Sequence, residues 1–84
     1  MAVPIWQVSE DLGRWRDFPT HLNQATEEQF KEAPTGCFTY VWPDRDGTCW
    51  TYAIDFEALT QNWLTMDGTQ ACGARKIRRA VLEQ

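Results

Sequence analysis

Between Cys37 and Phe56 the chain alternates twice in the same sense. Phe38, Tyr40 and Trp42 hold every second position before Pro43-Asp44-Arg45-Asp46-Gly47, and Trp50, Tyr52, Ile54 and Phe56 do so after it. A period of two puts each set on one side of a pleated strand, where aromatic and β-branched side chains pack well. The run between them is turn chemistry, with Asp-Gly at its end. Residues 37–56 are therefore predicted to form an antiparallel hairpin with one aromatic face. Beyond it, Phe56-Glu57-Ala58-Leu59-Thr60-Gln61 loses the alternation, and Asp55 is a suitable cap for a single helical turn there.

The N-terminal part reads as a second hairpin. Val3 to Val8 is an opening strand, Ser9 to Gly13 a turn closed by glycine, and Arg14 to Phe18 the returning strand. The one helix is predicted over residues 21–33, with Thr20 or Asn23 as its cap and Pro34-Thr35-Gly36 ending it. Leu22, Ala25, Gln29, Phe30 and Ala33 form a narrow stripe, while Glu27, Glu28, Lys31 and Glu32 are assigned to the exposed side. A single short helix with one such stripe has to lie against a sheet. Trp63 to Met66 reads as a short strand, residues 67–73 as a loop and Ala74 to Leu82 as the last strand. The predicted fold class is α+β: a strongly curved antiparallel sheet, a half-barrel, carrying one α-helix on its concave side.

Size and charge narrow the function. Eighty-four residues make a single domain, 1–84, close to the lower limit for an unstapled core. Five Trp, four Phe and two Tyr compensate for sparse Leu, Ile and Val, because each large ring buries on the order of 150–250 Å². The net charge is −4. The basic run Arg75-Lys76-Ile77-Arg78-Arg79 stands out against this acidic background. An acidic surface disfavours duplex nucleic acid, which demands many phosphate contacts. A short cationic strand suits a ligand with one or two phosphates. No apolar run reaches the ~20 residues of a membrane span. Cys37, Cys49 and Cys72, even with His21, lack the paired spacing of a zinc site, so no metal is expected. Buried, reduced thiols in an intracellular protein, nuclear or cytoplasmic, are the expected state.

Catalysis has little support. His21 is the sole histidine and sits at a helix start, neither phosphate loop nor dinucleotide fingerprint occurs, and nothing pairs a nucleophile with a base. A binding site is better founded. Alternation places Arg75, Ile77 and Arg79 on one face of the last strand, with Lys76 and Arg78 on the other. The guanidinium of Arg75 offers a fork of donors matched to phosphate oxygens, and Tyr52 adds a hydroxyl. Gln61 carries both donor and acceptor, as reading an adenine edge requires. Each residue has a plainer role open to it: Tyr52 as core, Gln61 as a turn cap, Arg75 as the partner of Asp55 or Glu57.

Taken in order, Trp6, Gly13-Arg14-Trp15, Glu27-Glu28-Gln29-Phe30, Tyr52-Ala53-Ile54-Asp55-Phe56 with Gln61, and Arg75-Lys76-Ile77-Arg78-Arg79 resemble the WWE domain. The two Trp and the Glu of that name look like Trp6, Trp15 and Glu27. The resemblance implies a half-open barrel with one helix and no catalysis or cofactor of its own. WWE domains occur in ubiquitin ligases and ADP-ribosyltransferases, and several bind ADP-ribose units of poly(ADP-ribose), internal or terminal. By resemblance, Tyr52 and Arg75 are phosphate contacts, Gln61 reads adenine, and Trp15 is a ring lining the ligand groove.

Two positions depart from the ligand-binding pattern, as does the segment between Gln61 and Arg75, which is a few residues longer. Val8 stands where a Tyr is common, and Asp11 replaces a basic residue in the first turn. Both bear on recognition of the two-phosphate internal linkage more than on an adenine nucleotide end. The expected partner is ADP-ribose or poly(ADP-ribose) on modified proteins, and the module is expected to be part of a larger chain. The alternative is a protein-protein interaction module of the same fold without a nucleotide pocket. A third reading is a single-stranded nucleic-acid binder using exposed Trp and the basic strand.

Overall fold

Six antiparallel strands curl into a half-barrel with one helix, an α+β fold; the computed structural model describes residues 2–43, 46–65 and 71–83. In chain order these are β1 (Ala2–Ser9), β2 (Trp15–Asp17), α1 (Thr20–Glu32), β3 (Cys37–Pro43), β4 (Cys49–Asp55), β5 (Thr60–Leu64) and β6 (Ala71–Glu83). Across the sheet they run β2-β1-β6-β5-β4-β3, leaving β2 and β3 at the two ends. The long β6 is the seam: its later half pairs with β1 and its earlier half with β5. The basic run thus straddles the changeover, Arg75 and Lys76 pairing with β5 and Ile77, Arg78 and Arg79 with β1.

Both predicted hairpins form. Phe38 faces Ile54, Tyr40 faces Tyr52 and Trp42 faces Trp50, so the alternating rings share one face. In the first hairpin Val8 pairs with Arg16, and the turn between strands holds both Leu12 (φ 65°) and Gly13 (φ 73°) in the left-handed region. Gly13 adopts that conformation freely, whereas a leucine does so at a cost of roughly 1–2 kcal/mol. Asp55 caps the turn after β4, its Oδ1 accepting from the backbone N–H of Glu57 and Ala58, both at 3.0 Å.

The structure moves several boundaries. The non-alternating segment ends at Leu59 (φ 54°), and Thr60 and Gln61 belong to β5 rather than to a turn. The last strand starts at Ala71, three residues earlier than its polar flank indicates. The predicted extension of the penultimate strand to Met66 and the 67–70 part of the loop lie outside the described residues, as do Asp44 and Arg45 of the hairpin turn.

The helix starts one residue early and differs at its cap. Pro19 is the N-cap, and no side chain caps α1. Asn23 has another task. Its Oδ1 accepts from the Trp6 backbone N–H at 2.6 Å and its Nδ2 donates to the Pro4 carbonyl at 3.1 Å. β2 is too short to cover that part of β1, so Asn23, with Phe18 N–H on the Trp6 carbonyl at 2.9 Å, satisfies backbone that would otherwise be orphaned. The buried stripe is Leu22, Thr26 and Glu27, with Phe30 half-buried; Ala25, Gln29 and Ala33 are exposed. Glu27 is therefore not on the solvent side. The docking by Asn23 turns the helix to the face carrying residues 22, 26 and 30, which are spaced by four.

The core consists of Trp6, Val8, Phe18, Leu22, Ile54, Phe56 and Ile77, with Trp6 and Ile54 fully excluded from solvent. Trp6 meets the edge of Phe30 at 5.2 Å and the ring of Phe56 at 5.3 Å, and Phe30 meets Phe56 at 5.4 Å. Edge-to-face contacts of this kind contribute about 0.5–1.5 kcal/mol each beyond area burial. This aromatic triangle closes one end of the half-barrel. The other end stays open.

Candidate functional site

The cross-strand register places the site. One ladder row runs Phe38, Ile54, Gln61, Arg75 across β3, β4, β5 and β6; the next, two residues along, runs Tyr40, Tyr52, Trp63, Gly73. Because strand side chains repeat every second residue, both rows face the same way. Ile54 and Phe38 fill the core beneath, and the remaining side chains line an open cavity of about 540 Å³. That volume falls within the ~300–1,000 Å³ of small-ligand sites. Val8 and Leu22 supply an apolar wall on the helix side, while Arg16 and Glu10 stand at the mouth.

Tyr40 and Tyr52 stack at 5.2 Å between ring centres and 17° between planes. Gln61, only 9% exposed, donates from Nε2 to the Tyr40 hydroxyl. Its Oε1, an amide oxygen, is an acceptor by chemistry. Burial pushes the Tyr40 hydroxyl up to about 12, reinforced by Tyr52, while the Gln61 hydrogen bond and the charge of Arg16 pull the other way. At neutral pH this hydroxyl stays protonated and able to donate.

Arg75 is directly opposite Gln61. Its Nη1 donates to the Ser9 carbonyl at 3.1 Å, and its guanidinium carbon lies 5.7 Å from the centre of the Trp63 ring. Asp55 is occupied with its own turn, and among the described residues Arg75 forms no ion pair with it or with Glu57. Its positive charge is therefore not neutralised by either carboxylate considered from sequence. Trp63 lies across Gly73, where an added methyl would meet the indole Cε2 at 2.7 Å. The absence of a side chain at Gly73 is what lets the indole lie flat as a wall.

Of the four residues singled out from sequence, Tyr52, Gln61 and Arg75 line this one cavity. Trp15 does not. It pairs with Ser9, and its ring lies under the Arg78 guanidinium, 4.2 Å from the centre, on the opposite face of the sheet. Arg78 is steadied there by Gln7 Oε1 at 2.7 Å. The physical reason is strand phase: Phe18 is core, so alternation through β2 sends Arg16, and not Trp15, to the inner side. Tyr40, Trp42, Trp50 and Trp63 also line the cavity. By alternation alone Tyr40, Trp42 and Trp50 are a strand face and Trp63 the start of a strand. His21, exposed at the helix start, stacks on Trp42 at 4.6 Å.

A second cluster holds the fold together behind the site. The Glu27 carboxylate accepts from the Trp6 indole N–H at 3.0 Å and from Arg79 Nε and Nη2, both at 2.8 Å. The Arg79 hydrogen bonds hold the Glu27 carboxyl below its ordinary value, against the opposing effect of burial; the Trp6 N–H acts in the same direction as Arg79. Among the described residues no group of His, Cys, Asp and Glu is arranged to hold a metal ion, and the thiols of Cys37 and Cys49, expected to be buried, are exposed because strand alternation turns them to the outer face.

No curated protein matches the chain. The family model of the WWE domain matches residues 4–79. The matched span runs from the strand that carries Trp6 to the Arg79 that pairs with Glu27, and it takes in both walls of the cavity. The chain belongs to the WWE domain family, a family of binding and interaction modules.

Proposed function

We propose that this domain recognises ADP-ribose units, terminal ADP-ribose or the iso-ADP-ribose of poly(ADP-ribose), and brings a larger chain to ADP-ribosylated partners without catalysis of its own. One observation carries the reading: Tyr52, Gln61 and Arg75, distant in sequence, line a single open cavity with a stacked tyrosine wall. Adenine fits against the Tyr40–Tyr52 and Trp63 surfaces. With its amide N–H committed to Tyr40, Gln61 presents Oε1 to the adenine amino group. Arg75 and the Tyr52 hydroxyl meet the phosphate at the mouth. Such targets place the protein's work in the nucleus or cytoplasm.

Titration calorimetry with ADP-ribose tests this. Binding is expected, and Arg75→Ala or Gln61→Ala is expected to weaken it more than tenfold, the loss of a charge-assisted or buried hydrogen bond of roughly 1.5–3 kcal/mol. Unchanged affinity in both variants rejects the assignment.

A second reading is a protein-interaction module with no working nucleotide pocket. It draws on Val8, an apolar side chain 4% exposed that lines the cavity where the family resemblance leads one to expect a tyrosine hydroxyl. Amide chemical-shift mapping separates the two. Under this second reading millimolar ADP-ribose leaves Tyr52, Gln61 and Arg75 unmoved.

A further inference from the structure

The cavity has a second arginine at its mouth. Arg16 lies on β2 opposite Val8, and Val8 is opposite Ile77 on β6, two residues from Arg75. The two guanidinium groups thus flank the end of β1 from either side. Arg75 is anchored on the Ser9 carbonyl of that strand at 3.1 Å. Arg16 is the less firmly held of the two: its side chain is 67% exposed and its Nε is 3.9 Å from Glu10 Oε1. Asp17, the neighbouring carboxylate, is taken by Gln7 Nε2 at 2.7 Å. Among the described residues Glu10 is the carboxylate within ion-pair distance of Arg16, while Asp17, which keeps its charge, also lines the cavity.

A long, exposed contact of this kind is easily exchanged, because exposed ion pairs contribute little net stability. A phosphate offers the guanidinium a better match, with bidentate geometry and greater charge density than one distant carboxylate oxygen. The charge of Arg16 is already felt inside the cavity, at the Tyr40 hydroxyl, where it partly offsets the effect of burial.

We propose that Arg16 is a specificity-determining residue: a second anion-binding arm, released from Glu10 by the incoming ligand, that with Arg75 selects a nucleotide bearing two linked phosphates over a nucleoside or a monophosphate. This rests on the adenine-nucleotide reading of the same cavity. Glu10 acts as a competing internal anion, so it sets the threshold that a ligand must exceed. A single phosphate engages Arg75 alone, while a diphosphate spans to Arg16.

The experiment compares adenosine, AMP and ADP-ribose by calorimetry on the wild-type domain and on Arg16→Ala, Arg16→Lys and Glu10→Gln. Arg16→Ala is expected to weaken ADP-ribose by about tenfold, the size of one charge-assisted hydrogen bond, while leaving AMP and adenosine within twofold. Arg16→Lys is expected to recover part of the loss, and Glu10→Gln to tighten ADP-ribose by roughly threefold with adenosine unchanged. Thermal melts of all variants are expected to coincide with wild type, since the exchanged pair is exposed. Wild-type binding of ADP-ribose that Arg16→Ala leaves unaltered overturns this inference and spares the nucleotide reading. An equal loss for all three ligands makes Arg16 a general wall of the cavity and also overturns it. No binding of any of the three to wild type, with iso-ADP-ribose silent as well, removes both.

Discussion

The Arg79 guanidinium lies against the Glu27 carboxylate with both nitrogen–oxygen separations at 2.8 Å, and Glu27 is 8% exposed. The pair joins the helix to the seam strand, and the Trp6 indole N–H completes the acceptor's shell. Removing the carboxylate strands three N–H donors at once, one of Trp6 and two of Arg79. Glu27→Ala is therefore expected to lower unfolding free energy by about 2–3 kcal/mol, below the full effect of a fully buried pair because the Arg79 side chain is 33% exposed. Denaturant titration of both proteins checks it.

The same pair predicts an acid limb. Arg79 holds the Glu27 carboxyl below its ordinary value of 4.5. A group with a depressed folded value contributes stability that is complete above the unfolded value and lost as pH falls through the folded one. Wild-type stability is expected to fall below about pH 4.5, and Glu27→Gln to flatten that part of the curve. An unchanged acid slope in Glu27→Gln contradicts the pairing.

Tyr40 gives the opposite limb. Its hydroxyl is pushed up to about 12 from 10.0, chiefly by burial. Between those values the unfolded chain has released the proton and the folded one retains it, so stability falls as pH rises above 10. Tyrosinate absorbance on titration is expected to show a fraction ionising near 12 in the wild type that disappears in Tyr40→Phe.

Gly73 is predicted to be a packing requirement of the cavity wall. Its Cβ position is occupied by the Trp63 indole, so Gly73→Ala has to displace the ring or the strand. Overpacking of this kind costs about 1–3 kcal/mol. A lower melting temperature together with shifted Trp63 side-chain resonances is the expected outcome; an unperturbed indole with wild-type stability refutes the wall.

Thr26 makes a prediction in the other direction. It is fully buried in the helix stripe, and its Oγ1 has no hydrogen-bond partner among the described residues. Thr26→Val keeps the shape and removes the unsatisfied oxygen, so stability is expected to rise by about 1 kcal/mol. A fall on denaturant titration shows that the hydroxyl is satisfied in solution.

Local rules carried much of this molecule. The doubled aromatic alternation between Cys37 and Phe56 predicts the hairpin and its inner face, because side-chain direction in a strand depends only on backbone pleat. Asp55 as a cap, the turn closed by Gly13, and the shared phase of Arg75, Ile77 and Arg79 are also short-range facts, settled within a few residues. So the cavity's Tyr52 and Arg75 could be named from the chain alone.

What only the tertiary structure decided lies at the joins. Gln61 reads locally as the end of a turn, yet β6 supplies a hydrogen-bonding edge that draws Thr60 and Gln61 into β5, opposite Arg75. Glu27 looks like a solvated helix residue until Arg79, far along the chain, and the Trp6 indole make its burial tolerable. Arg16 and Trp15 exchange faces because the burial of Phe18 sets the phase of a three-residue strand. Periodicity states which side chains travel together; which side faces inward is set by partners the local sequence does not contain.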